Sequence, residues 1–207
     1  MIFVRCIVGL FCTVAATSFA YAGPIEDCSQ ENNLRLSVRA CSKVIELNLL
    51  PEKSEMTYYF RGNAHHRLGN TRRALKDLHR SVEINPSYKH PYIELGIISK
   101  NRKNYKLALE HYNKALEIDP RFAKAYYNRG NVYFGMNRYT RSIADYDRAT
   151  ELEPNYVFPY IGRAFSLLEM GDNKAALDSA EHALRLAPRN AHAAEIRAHI
   201  LDEAKRN

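Results

Sequence analysis

The side chains with the most chemical promise lie near the two ends of the chain. Toward the C-terminus His192, Glu195 and His199 recur at helical spacing, with Asp202 one turn further on. Imidazoles and carboxylates on one helix face could hold a divalent cation, but one helix cannot close a tetrahedral shell without further ligands from elsewhere. A solvated face of a terminal helix is therefore expected, and no metal. His65-His66 has no matching acid or cysteine and reads as surface or packing. Nucleophilic and phosphate chemistry find no footing. The sequence has no Gly-x-Ser-x-Gly, no His-Glu-x-x-His, no Cys-x-x-Cys and no glycine-rich phosphate loop. No enzymatic activity and no cofactor are expected.

The cysteines are read together with the N-terminus. Met1-Ile2-Phe3-Val4-Arg5 precedes an apolar run from Cys6 to Ala16, and Ala20-x-Ala22 has the small-x-small form of a signal peptidase site. The run is about 11 residues, short of the roughly 20 a helix needs to cross a bilayer. Residues 1–22 are read as a cleaved secretory signal, the alternative being an uncleaved N-terminal anchor. No lipidation box precedes Cys12. The exported chain, periplasmic or secreted, would keep only Cys28 and Cys41, and an oxidising compartment favours their disulfide. Closing a loop of about 14 residues is worth around 3 kcal/mol in the chain-entropy account. In a reducing compartment they would be free thiols.

The formal charge is +7, and +6 once residues 1–22 are gone. Lysine and arginine occur in every part of the chain, interleaved with acids, so a solvated basic surface is expected and nucleic acid is not. A basic binder of an anionic surface remains the alternative.

The elements that must position these groups follow from a period. Tyr58, Tyr92, Tyr126 and Tyr160 stand 34 positions apart, and so do Pro86, Pro120, Pro154 and Pro188. Between them run Gly62, Gly96, Gly130 and Ala164, then Ala74, Ala108, Ser142 and Ala176, then Ser81, Ala115, Ala149 and Ala183. Such self-similarity marks a repeat architecture. Each repeat holds two helices of about 14 residues. The turn between them carries Gly69-Asn70, Lys103-Asn104, Asn137-Arg138 or Gly171-Asp172, residues suited to a left-handed backbone. The prolines follow the second helix, where they cannot continue it, while Pro91 and Pro159 fit the first turn of a first helix. Asn33 to Leu47 reads as the second helix of a truncated repeat. The organisation expected is a cap over 23–54, repeats at 55–88, 89–122, 123–156 and 157–190, and a capping helix over 191–207. That last helix carries Glu195, Arg197, Asp202, Glu203 and Lys205, a polar face such as a terminal element needs.

The glycine and alanine rows are expected to face each other and let the helix pair approach closely. Tyr58 and its copies, with Leu78, Tyr112, Tyr146 and Ala180, would fill the space toward the next repeat. Arg61 with Asp77 and Arg129 with Asp145, sixteen positions apart in both cases, suggest ion pairs within a repeat. The counterparts Leu95 and His111 lack the charges. Arg163 faces Ser179, with Asp178 adjacent.

The pattern Tyr-x-x-[Leu/Arg]-Gly, Ala, aromatic, Ala, Pro, at this fixed period, resembles the tetratricopeptide repeat, with Tyr for the usual Trp, Ser at 142 and 81, and Ala180 for an aromatic. Tyr126-Tyr127-Asn128-Arg129-Gly130-Asn131 and Ile143-Ala144-Asp145-Tyr146 are similar to arrays in exported bacterial proteins. The resemblance implies an all-α fold, an α-solenoid of stacked antiparallel helix pairs, with a concave groove for proteins or peptides. By analogy the groove is lined by Tyr59, Asn63 and His66; Ile93, Ile97 and Lys100; Tyr127, Asn131 and Phe134; and Ile161, Phe165 and Leu168. The alternative is that superhelical twist buries this apolar row. A clamp for an acidic C-terminus, as some family members have, would place Tyr59 with Asn63, Glu94, and Lys124 with Asn128, and Glu94 would repel a carboxylate. The expectation is a non-enzymatic interaction scaffold binding a protein or peptide, with no transmembrane segment after cleavage. A homodimer stacked through its tyrosine-rich faces is the second reading.

Overall fold

The computed structural model describes residues 26–30 and 32–206. The expected signal segment lies outside these residues. They form α1 (Leu34–Glu46), α2 (Ser54–Arg67), α3 (Thr71–Ile84), α4 (His90–Asn101), α5 (Tyr105–Ile118), α6 (Ala123–Gly135), α7 (Tyr139–Leu152), α8 (Val157–Glu169), α9 (Asn173–Leu186) and α10 (Ala191–Arg206), with a 3-10 turn at Pro51–Lys53. Among the described residues there is no β-strand, and none of their helices is long and apolar enough to cross a membrane. The fold is all-α, of the solenoid class built from consecutive helix pairs. It divides into two units, the first ending at Pro91 and the second beginning at Tyr92.

In the first unit the Asn33 side chain accepts from the Leu36 amide at 3.1 Å and starts α1. Its inner face, Ala40, Cys41 and Val44, packs with Cys28, Leu49, Leu50 and Phe60. Cys28 and Cys41 form a disulfide, so the segment before α1 is tied to that helix. Ser37 Oγ adds a hydrogen bond to the Cys28 carbonyl at 2.6 Å. Helices α2 and α3 then pair, and Ser81 Oγ donates to the Glu55 carbonyl at 2.6 Å.

In the second unit each helix from α5 onward packs on its successor, and α6 also meets α8, as α8 meets α10. One left-handed residue falls at the same place in every complete repeat, Gly69 at φ 79°, Lys103 at 59°, Asn137 at 56° and Gly171 at 78°, and Asn48 at 48° ends α1. The tyrosine and proline rows touch, since the Tyr126 hydroxyl donates to the Pro120 carbonyl at 3.3 Å and Tyr160 to Pro154 at 3.2 Å.

The glycine row has a different partner from the one expected. A Cβ added at Gly96 would lie 2.4 Å from Tyr112 Cε1, and one at Gly130 would lie 2.8 Å from Tyr146 Cε1. Gly162, outside the periodic row, would meet Tyr146 Cζ at 2.5 Å. The Tyr146 ring therefore lies between the first helix of its own repeat and that of the next. The row supplies room for a large side chain, Leu78 at Gly62 and a tyrosine ring at Gly96 and Gly130, rather than for an alanine, and the last repeat balances Ala164 with Ala180, both fully buried.

The two expected ion pairs are bidentate. Arg61 Nε and Nη2 reach Asp77 at 2.8 and 2.7 Å, and Arg129 reaches Asp145 at the same distances. They are not surface pairs, for Asp77 and Asp145 are only 4% and 6% exposed. Removing either arginine would strand a buried carboxylate, which costs far more than an exposed pair contributes. Arg163 does not use Asp178. It donates Nη1 to Ser179 Oγ, and its Nε lies 2.7 Å from Asp147 of the preceding repeat. Arg129 likewise reaches back to Asn113 at 2.7 Å, and Arg197 to Glu181 at 3.8 Å. In the second unit this arginine row pins each repeat to its predecessor.

Candidate binding cleft

Between α6, α7, α8 and α10 the second unit has a cleft of about 350 Å³. Its walls are Tyr127, Asn131, Phe134, Tyr146, Phe158, Ile161, Gly162, Phe165 and His192. Helical spacing explains the set. Tyr127, Asn131 and Phe134 stand on one face of α6, and Phe158, Ile161 and Phe165 on one face of α8. Phe158 is 55% exposed, a large apolar side chain left in solvent at the mouth. The Tyr127 ring packs against Tyr156 at 5.3 Å, Tyr146 at 6.1 Å and Phe158 at 6.2 Å, which holds the wall rigid. Burial first, then the neighbouring Tyr127 and Glu153, push the Tyr156 phenol well above its usual range, so it stays a neutral donor. Tyr146 donates its hydroxyl to Asn131 Oδ1 at 2.7 Å, leaving the Asn131 amide hydrogens for other acceptors. His192 packs edge-on to Phe165 at 6.5 Å.

Five of the twelve residues expected in a groove thus gather here: Tyr127, Asn131, Phe134, Ile161 and Phe165. Ile161 is nearly buried and forms the floor. Leu168 instead packs half-buried against the core of Ala164, Leu167 and Ile196. Ile93 is only 1% exposed and belongs to the core around Tyr112, Ala125 and Val132, so it does not line a groove. At this position an aliphatic side chain meets buried neighbours on both sides. Ile97 packs half-buried on the same core, and Lys100 lies near the end of α4. In the first unit Tyr59 and Asn63 border a narrow crevice against residues 28–37, the disulfide-tied cap segment. Tyr59 also packs with Tyr88 at 5.6 Å and His90 at 5.7 Å, and burial pushes the Tyr88 phenol up to about 12. His66 is half-buried on α2.

Phe158, His192 and Gly162 were not foreseen. Phe158 stands two helical turns before Phe165 on the same face, and His192 is its counterpart in the next period. A search along each helix face, rather than at three fixed positions, would have found both. The groups of the acidic-terminus clamp are engaged elsewhere. Glu94 is buried with Lys124 Nζ 3.8 Å from it, and Asn128 donates to the Lys124 carbonyl at 2.7 Å. Among the described residues no three histidine, cysteine or acidic side chains gather as a metal site, and His192, Glu195, His199 and Asp202 stay spread along α10.

Helix pairs repeating at a constant period define a repeat solenoid, here with an open aromatic cleft in its second unit. Family comparison makes this specific: the chain carries tetratricopeptide repeats. Sequence models described as tetratricopeptide repeat match residues 57–88 and 123–156, and one described as TPR repeat matches 100–137. None of the curated proteins compared with the chain matches it. Among solved structures, a chain of the APC/C hetero-tetramer Cut9-Hcn1 is similar at 20% identity and TM-score 0.74, over 83% of this chain and 33% of that one. MamA is similar at 19% identity and TM-score 0.64, over 77% of this chain and 91% of that one. The first TPR of Spaghetti (RPAP3), bound to the HSP90 peptide SRMEEVD, is similar at 23% identity and TM-score 0.54, over 55% and 90%. The chain therefore spans about a third of the Cut9-Hcn1 chain it matches. These likenesses concern the fold. Repeats of this family mark a protein–protein interaction scaffold.

Proposed function

We propose that this chain is an exported, non-enzymatic scaffold that captures a segment of another protein in the aromatic cleft of its second unit. One observation carries the reading: Phe158 and Phe165 stand exposed beside Tyr127 and Phe134, around a space large enough for one or two apolar side chains. Exposed apolar area of this kind is seldom left uncovered without a use, and a cleft with two facing helices suits an amphipathic helix or an extended peptide. Asn131 and His192 supply the few polar contacts that would fix the register of the bound chain.

The test is photo-crosslinking from position 158 in the native compartment, compared with the same crosslinker at Lys114. Tyr127→Ala with Phe165→Ala should abolish the adduct specific to position 158 while helicity is kept. An adduct undiminished in the double variant removes the cleft from consideration. Light scattering on the same preparation reads self-association, and an adduct consisting of a second copy would favour the homodimer. Export is read separately, by N-terminal sequencing of the accumulated protein, where a start at Gly23 is expected.

A further inference from the structure

The basic residues are not scattered once folded. In the second unit the stretches 99–109 and 135–144 contain no acid, and together they carry Lys100, Arg102, Lys103, Lys106, Arg138 and Arg141. All six flank the turns α4–α5 and α6–α7. These turns lie side by side, because a Cβ at Gly135 would sit 3.2 Å from the Tyr105 hydroxyl. Five of the six are exposed, and Lys100 is half-buried. None has a carboxylate within ion-pair distance among the described residues. Elsewhere in the unit Lys114 pairs with Glu117 at 3.0 Å and Arg148 with Glu151 at 2.8 Å, one helical turn apart in each case, while Arg121, Lys174, Arg185 and Arg189 also lack a carboxylate within ion-pair distance among the described residues. Six cations without a carboxylate partner thus flank two adjacent turns at one edge of the unit. The neighbouring α8–α9 turn is of mixed charge, with Glu169, Asp172 and Lys174 around Met170 and the Tyr139 hydroxyl donating to Glu169 at 3.3 Å.

The same edge has an open recess lined by Asn137, Arg138, Tyr139, Thr140, Arg141 and Met170, and Met170 is 52% exposed. Arg141 lies over the Tyr133 ring at 5.9 Å and keeps its charge, and cations without a carboxylate partner beside an exposed apolar tip suit a bilayer interface, with headgroup phosphate against the arginines and the thioether at the acyl boundary. A flexible acidic peptide or a nucleic acid would use the cations but gain nothing from Met170. None of the six cations lines the aromatic cleft, so an edge-on contact leaves that cleft open. We propose that this edge of the second unit docks on an anionic lipid surface.

The test is co-sedimentation of the full chain with vesicles of phosphatidylcholine alone or mixed with phosphatidylglycerol. Wild type should bind the mixed vesicles only, and less as salt rises. Each cation near such a surface is worth about five-fold in partition, so Arg102→Ala, Lys106→Ala, Arg138→Ala and Arg141→Ala together should lower it by several hundred-fold. A control with the same charge change elsewhere in the unit, Lys114→Ala, Arg121→Ala, Arg148→Ala and Arg185→Ala, should lose far less. All three proteins share one N-terminus, so their difference reads the edge alone. Equal loss in both variants would reduce the effect to net charge and overturn the proposal. So would wild type that ignores phosphatidylglycerol, an edge variant that binds undiminished, or edge-dependent binding of an oligonucleotide or polyglutamate in preference to the mixed vesicles.

Discussion

Tyr112 and Tyr146 occupy the same position in adjacent repeats, and the same substitution should act on them with opposite sign. Both rings are sealed from solvent, each against the glycine of its own first helix. The Tyr146 hydroxyl donates to Asn131 at 2.7 Å. The residue one period before Asn131 is Ile97, which accepts nothing, and no described group hydrogen-bonds the Tyr112 hydroxyl. Burial, then the charge of Glu94, then Tyr127 raise its pKa, so it remains a protonated and unsatisfied donor. A buried hydroxyl left unsatisfied costs about 1–3 kcal/mol, whereas a satisfied one contributes about 0.5–1.5 kcal/mol. Tyr112→Phe should therefore stabilise the second unit by about 1 kcal/mol or more, and Tyr146→Phe should destabilise it by about 1 kcal/mol. Urea unfolding followed by circular dichroism reads the difference. With an m-value of about 2 kcal/mol/M, each change moves the midpoint by about 0.5 M, in opposite directions. Ile97→Asn supplies the missing acceptor, and in that background Tyr112→Phe should cost stability instead of adding it, a coupling the double-mutant cycle isolates. Equal losses for Tyr112→Phe and Tyr146→Phe would show that the Tyr112 hydroxyl has a partner, and the reasoning would fail.

Three further outcomes follow from particular contacts. Gly162→Ala places a Cβ 2.5 Å from the Tyr146 ring and should cost on the order of 1–3 kcal/mol in thermal or urea unfolding, although no sequence period marks that glycine. Lys103 holds a φ of 59° that glycine adopts freely, so Lys103→Gly should raise the unfolding midpoint by the equivalent of about 1 kcal/mol. His65 is buried with Nδ1 unpartnered, and burial lowers its pKa from 6.5 against the pull of Asp77, with Arg61 and Arg73 adding to the lowering. Its neutral form is the one folded protein favours, so stability is intact above pH 6.5 and falls as pH drops toward the lowered folded value. Urea midpoints measured across that window should fall more steeply for wild type than for His65→Gln, and parallel curves would exclude His65 as the source.

What could be read in the sequence was whatever the constant period imposes on backbone and core. The helices, the four left-handed turns and the Arg61–Asp77 and Arg129–Asp145 pairs follow from residue type at a fixed register, because each depends on local geometry repeated unchanged. The departures arose where a contact joins neighbouring repeats. Gly162 is fixed by the tyrosine of the previous repeat, and Arg163 finds Asp147 sixteen positions back rather than the adjacent Asp178. Ile93 and Ile161 were placed by analogy on a groove, yet their exposure depends on how much the next repeat covers, which varies with side-chain size. Charge segregation escaped notice for a related reason. The acid-free stretches 99–109 and 135–144 are apart in the chain, and the fold brings their turns side by side.

The cleft and the core of the second unit are not independent, and this decides how the cleft can be probed. Asn131 faces the cleft and at the same time accepts the Tyr146 hydroxyl, so one side chain serves recognition and stability. Asn131→Ala would leave that hydroxyl without its acceptor, and lost binding could then reflect a loosened α6–α8 wall rather than a lost contact. Phe165 and Phe158 make no hydrogen bond to the core, so truncating them orphans no polar group, although Phe165, 36% exposed, gives up more buried area than Phe158, 55% exposed. Tyr127 lies between the two cases, since it makes ring contacts with Tyr146 and Tyr156 but no hydrogen bond that would be orphaned. A Phe165 and Tyr127 pair therefore separates recognition from folding in a way that no substitution at Asn131 can. The position occupied by Asn63, Ile97, Asn131 and Phe165 in turn changes character between repeats, and in the second unit it is where the solenoid trades internal satisfaction for an open surface.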